Sequence, residues 1–204
     1  MTRTMFHVLA AAMLAAAPAI AMQGAPKQDA PKQGEAKATT GKVGEKMPAF
    51  TVKAVRGDKS ADFDSQKAGK TTVYFLAGVT CPATKPYAPR LVALEQAYMS
   101  KGVDFVYLYV NSPESLAEKQ KFHKDMKFGG AFVNDEGSAI AKKLAATKTG
   151  ETLIADKDGK VLYRGGIDDN MADPAKVKDK FVANALDEIL AGKPVTKTTG
   201  IVFG

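Results

Sequence analysis

Two apolar runs constrain this chain most: "TTVYFLAG" at residues 71–78 and "VDFVYLYV" at residues 103–110. Both are nearly continuous and rich in aromatic and β-branched side chains, the pattern of a strand covered on both faces. Between them, "PRLVALEQAYMSKG" places Leu91, Leu94, Ala97 and Tyr98 at helical spacing and stops at Gly102. Strand, helix and strand in that order predict a parallel pair joined by a helical crossover. A sheet of that kind needs a layer of helices on each face.

The flanking segments extend the pattern. Upstream, "AFTVKAV" alternates apolar and polar residues, as a half-buried strand does. Downstream, "SPESLAEKQKFHKDM" predicts a helix with Ser112 as cap and Pro113 in its first position. A short strand at "AFV" and a short helix at "SAIAKKLAAT" follow. Strands at "TLIAD" and "KVLYRG" are joined by Lys157-Asp158-Gly159, a hairpin signal. The last helix is read over "DPAKVKDKFVANALDEILAG", with Asp173 as cap, Pro174 in the first turn and Gly192 as stop. Parallel crossovers, then an antiparallel hairpin and a closing helix, predict an α/β fold. It is a thioredoxin-like three-layer sandwich, a mixed sheet flanked by helices.

That domain is assigned to residues 47–204. Ahead of it, residues 1–21 carry Arg3, an apolar stretch, Pro18 and then Ala19-Ile20-Ala21. This is the pattern of a secretory signal peptide cleaved before Met22, which predicts an exported protein, periplasmic or extracellular. Residues 22–46 contain an imperfect "APKQ" repeat and many lysines, with no large aliphatic or aromatic cluster. Such a segment buries too little apolar surface to order itself and is read as a flexible tether. The formal charge is 29 − 22 = +7, or +6 without Arg3. The lysines are scattered, and no nucleic-acid motif accompanies them.

In an exported protein the cysteine count is informative, and Cys81 is the only one. It stands where the first buried strand gives way to a helix. Unpaired amides and the positive end of the helix dipole favour thiolate there. Pro82 suits that geometry because its missing N–H is not needed at a helix start. Lys85 and Arg90 lie near enough in sequence to add positive potential, and Thr84 falls within one helical turn of the sulfur. Cys81-Pro82-Ala83-Thr84 is a CxxC motif with a hydroxyl in place of its second sulfur. Its available chemistry is a mixed disulfide, or oxidation to sulfenic acid followed by outside reduction. The alternative is a buried, unreactive thiol.

"FLAGVTCPATKPYAPRLVALEQAY", "VYLYVNSPESL", "VLYRGGIDDN" and "EILAGKPV" resemble the redoxin group related to AhpC/TSA proteins, the peroxiredoxin-like branch of the thioredoxin superfamily. The resemblance runs from about Val43 to the end, and it implies a thioredoxin fold with Cys81 matching the first cysteine of CxxC. It also implies a thiol-based oxidoreductase or peroxidase-like antioxidant. Three positions depart from the pattern. Tyr74 and Gly78 stand where peroxiredoxins resemble PxxxTxxC; Thr149-Gly150 replaces the usual cis-proline that faces the cysteine, so that turn is expected close to Cys81; and Gly200-Ile201 replaces a Gly-Cys pair.

Other candidates carry less. Arg164 could bring positive charge to a thiolate or an anionic substrate, against a plain surface ion pair as the alternative. Asp168 and Asp169 read as a polar turn before the last helix. Metal ligands are too few for zinc or copper, since without His7 only His123 accompanies Cys81, and His123 reads as a surface residue among lysines. No phosphate-binding loop is present, so neither cofactor nor metal is expected. Expected partners are an external thiol reductant or a partner protein's disulfide, with a peroxide or disulfide as substrate. A second function class stays open, a thioredoxin-fold binding module without catalysis.

Overall fold

The computed structural model describes residues 41–110 and 113–204. The signal-peptide reading, Ser112 and the tether up to residue 40 lie outside the described residues. The strands are β1 (Thr51–Arg56), β2 (Lys59–Asp64), β3 (Thr72–Ala77), β4 (Asp104–Tyr109), β5 (Ala131–Asn134), β6 (Thr152–Ala155) and β7 (Val161–Gly165). The helices are α1 (Thr84–Tyr98), α2 (Leu116–Asp125), α3 (Ala139–Lys143) and α4 (Phe181–Leu190). All strands join one seven-stranded sheet in the order β2-β1-β5-β4-β3-β6-β7. β3, β4 and β5 run parallel, and the remaining neighbours pair antiparallel.

The two apolar runs are β3 and β4, and each feeds both faces of the sheet. Val73, Phe75 and Ala77 of β3 and Phe105, Tyr107 and Tyr109 of β4 join one core with α1 and α4. Tyr74, Leu76, Val106 and Leu108 join the opposite core, with Met47, Phe50 and the α3 residues Ile140 and Ala141. The three-layer sandwich expected from the sequence is therefore the observed one.

Four local expectations shift. β2 went unread because Lys59–Asp64 is a polar edge strand exposed over most of its length. α1 begins at Thr84, just past the helix start expected at Cys81-Pro82 and ahead of the periodic run that opens at Pro89, which is accommodated inside it. α2 is capped by Ser115, whose hydroxyl and Glu118 form a capping box. α4 begins at Phe181 because Asp173 caps only a 3-10 turn at Pro174–Lys176. The Asp169 carboxylate accepts from the amides of Lys178 and Asp179 at 2.9 and 3.2 Å, holding that stretch outside the helix.

The domain also starts earlier than its composition suggests. Gly44 N–H donates to the Val161 carbonyl at 2.8 Å, and Val161 N–H donates to Glu45 at 2.9 Å. Residues 41–46 thus belong to the fold, seated beside β7. His123 is not a plain surface residue. It is half-buried in an aromatic cluster with Tyr107, Tyr109, Phe128 and Phe132, and burial lowers its pKa to about 4 despite a raising hydrogen bond at Gly130. It is a neutral packing residue at physiological pH.

Candidate functional site

Cys81 lies just past the end of β3, an interior strand, and only 6% of it is exposed. The turn that carries it is closed by its own amide, which donates to the Gly78 carbonyl at 3.4 Å. Thr84, fully buried as the first residue of α1, accepts from Gly78 N–H at 3.1 Å. That bond occupies a lone pair of Oγ1 and leaves its proton for the sulfur, to which Thr84 is hydrogen-bonded. The Ala83 amide also reaches Sγ, at 3.3 Å. No side chain caps α1 at Ala83, and no acidic residue stands in its first turn. The thiol fills that place.

A further donor comes from across the sheet. β6 runs antiparallel to β3, and just before it Gly150 N–H donates to the Leu76 carbonyl at 2.8 Å while Leu76 N–H donates to Glu151 at 2.9 Å. Those two bonds hold the Thr149–Gly150 turn against the end of β3, as expected, and bring the Thr149 hydroxyl onto the Cys81 sulfur. Gly150 takes a φ of +86° on a trans peptide. Burial is the largest single influence on the thiol and raises its pKa. The hydrogen bonds from Thr149, Thr84 and the Ala83 and Thr84 amides outweigh it, so the net shift is downward.

Lys85 is exposed, and the two charged candidates Arg164 and Arg90 are engaged elsewhere. Arg164 Nε pairs with the buried Glu151 at 2.7 Å, and its other nitrogens donate to the carbonyls of Gly41, Leu144 and Ala145. Arg90 pairs with the buried Asp168 at 2.6 Å and donates to Asn170 and Met171. Asp168 also accepts from the Tyr87 hydroxyl at 3.2 Å, which makes it a buried anchor of α1 rather than a turn residue. The influences that lower the Cys81 pKa are all hydrogen bonds from uncharged groups.

The resemblance set the Thr149–Gly150 turn near Cys81 but gave Thr149 no role, and Glu114 was missed in the sequence. Thr149 is far from Cys81 along the chain, and only the antiparallel β3–β6 pairing joins them. Glu114 accepts from the Thr80 amide and hydroxyl at 3.1 and 2.7 Å, tying the loop after β4 to the residue before Cys81. Nothing in the spacing of "SPESL" marks it for that role. Among the described residues, no three His, Cys, Asp or Glu side chains converge as a metal site requires.

Comparison with known proteins fits this geometry. The family model for redoxins matches residues 42–180. The chain belongs to the Redoxin family. This redoxin resembles an uncharacterized conserved protein from Geobacillus kaustophilus, with 28% identity and a TM-score of 0.69 over 79% of this chain and 91% of that one. Mycobacterium tuberculosis AhpC shares the fold at 13% identity and a TM-score of 0.57, over 74% of this chain and 94% of that one. The thioredoxin domain of a thiol-disulfide oxidoreductase from Bacteroides vulgatus does so at 16% identity and 0.52, over 60% and 87%. No curated protein sequence matches the chain. At this coarse level the chain is a thioredoxin-fold member of the Redoxin family.

Proposed function

We propose that this redoxin is an exported thiol oxidoreductase in which Cys81 acts alone as the nucleophile. One observation carries the reading: hydroxyls and amides from three residues converge on a buried sulfur and outweigh the burial that would keep it protonated. With a peroxide, the thiolate sulfur attacks the distal oxygen and the O–O bond breaks. The products are sulfenic acid and, once the leaving alkoxide takes a proton, an alcohol or water. An external thiol then displaces the hydroxyl as water to give a mixed disulfide, and a second thiol releases Cys81 and a disulfide. With a disulfide substrate, the thiolate enters directly at the mixed-disulfide stage. An outside reductant is required in either case because the chain has no second cysteine.

Thr84 and Thr149 hold the thiolate in this scheme. Arg164 is a positioning residue acting through Glu151, which directly follows the Thr149–Gly150 turn. Export rests on the signal-peptide pattern of residues 1–21 and places the protein in the periplasm or outside the cell.

The test is the pH dependence of Cys81 alkylation in the folded protein. The expected midpoint lies below the free-thiol value of about 8.5. Cys81→Ser should abolish thiol-dependent peroxide or disulfide turnover. The low exposure of Cys81 favours a competing reading, a binding module with an inert thiol. A midpoint at or above the free value, with no turnover, would establish that reading.

A further inference from the structure

The polypeptide beyond α4 returns to the Cys81 site. Lys197 pairs with Asp179 at 2.6 Å and lies over the Phe181 ring, and Arg164 N–H donates to the Thr198 carbonyl at 3.0 Å. Thr199 makes a single parallel bridge to Arg164, which sets the segment beside β7. Past that anchor it lies on glycines. A Cβ at Gly166 would overlap the Ile201 carbonyl, and a Cβ at Gly150 would overlap the Phe203 carbonyl. The same hypothetical Cβ at Gly150 would touch Ala83, the residue whose amide reaches the sulfur. The half-buried Phe203 packs against the core cluster that contains Cys81 and Ala83. The segment therefore covers the turn that supplies Thr149, beside a thiol left 6% exposed.

We propose that Ile201–Gly204 is a strap that sets the size of reactant admitted to Cys81. With the strap seated, a small peroxide reaches the sulfur through the narrow opening that remains. A protein disulfide reaches it only after the strap leaves its glycine seat. This proposal rests on Cys81 being the reactive group. It adds a division of substrates: small oxidants meet the resting protein, and bulky ones meet a locally opened form. The opening is a local event because the strap's anchor lies at Thr198 and Thr199, upstream of the part that covers the site.

The experiment alkylates the full chain with iodoacetamide and with a maleimide carried on a long polyethylene glycol chain. The rate ratio of the two reagents is referred to the same ratio in denaturant. The folded wild type should disfavour the bulky reagent by about tenfold or more, the factor a modest local opening imposes. Gly166→Val displaces the Ile201 carbonyl without touching Cys81, Thr84 or Thr149, and should bring the ratio back toward its denatured value. Phe203→Ala should move it in the same direction, and it carries the test if Gly166→Val does not fold by circular dichroism. A wild-type ratio equal to the denatured one overturns the strap. So does a ratio unchanged in both folded variants, including the case where Cys81 stays inert in all of them. The pH midpoint of the iodoacetamide reaction is a separate readout. An unlowered midpoint with intact size discrimination overturns the proposed function and leaves the strap standing.

Discussion

The two helices that follow the central parallel strands begin in opposite ways. α2 is closed by its own side chains: Ser115 Oγ accepts from Glu118 N–H at 3.2 Å, and Glu118 accepts from Ser115 N–H at 2.7 Å. α1 has no side-chain cap at Ala83 and no acidic residue in its first turn, and the Ala83 amide is directed at the Cys81 sulfur. A helix start leaves amides that need acceptors and a dipole that favours negative charge. In α2 that requirement is met locally and serves stability. In α1 the sulfur meets it, so the same physics favours a thiolate.

The largest expected effect that would break this contrast is Thr84→Val. The substitution leaves the Gly78 amide without its acceptor in a buried place and removes a donor from the sulfur. A loss of about 1–3 kcal/mol in denaturant unfolding is expected, together with a higher alkylation midpoint for Cys81. Unchanged values for both would mean that Thr84 is packing alone. Ser115→Ala is the control at the other helix. It should cost about 1 kcal/mol and leave the Cys81 alkylation profile where it was. A moved profile would show that the two helix starts are coupled, through Glu114 and Thr80 for instance. Thr149→Val should disturb stability least, because the turn's backbone bonds to Leu76 remain. It should still raise the alkylation midpoint, a result that a purely structural Thr149 would not give.

Much of this contrast was legible in the sequence, and its limits have physical causes. β3, β4 and the junction at Cys81 were legible because buried parallel strands need continuous apolar runs. The β6–β7 hairpin was legible because Gly159 takes a φ of +80° at its turn. β2 was hidden because an edge strand with polar side chains has little burial to advertise. The apolar periodicity of α1 opens only at Pro89 although the helix begins at Thr84, because its first turn carries Lys85 and Pro86 in place of an apolar stripe. Ser112 and Ser115 are equally plausible caps from composition, and Glu118 three residues after Ser115 decides for the latter. The resemblance set the Thr149–Gly150 turn near Cys81, but that the Thr149 hydroxyl acts on the sulfur depends on strand register across the sheet, which no local pattern records.

The smallest effect is also the one that separates the two helix starts by chemistry. Cys81 and Glu118 both have lowered pKa values. Cys81's largest influence is burial, which raises its pKa but is outweighed by hydrogen bonds from Thr149 and Thr84; Glu118 is lowered mainly by the Ser115 hydroxyl. For either group the unfolded chain holds the proton over a range where the folded one has released it, so stability rises with pH across that range. The contribution of Cys81 is complete above the unfolded thiol value of about 8.5 and is lost as pH falls through its lower folded value. That of Glu118 is complete above the ordinary carboxylate value and is lost only at more acid pH. The stability difference between wild type and Cys81→Ser should therefore grow in favour of the wild type from neutral toward mildly alkaline pH. The difference between wild type and Glu118→Gln should be flat there and should shrink only in acid. Unfolding curves for the three proteins at a series of pH values read both differences. A flat Cys81→Ser difference through neutral and alkaline pH would mean that folding does not favour the thiolate, and α1 would then be left with an uncharged sulfur as its cap.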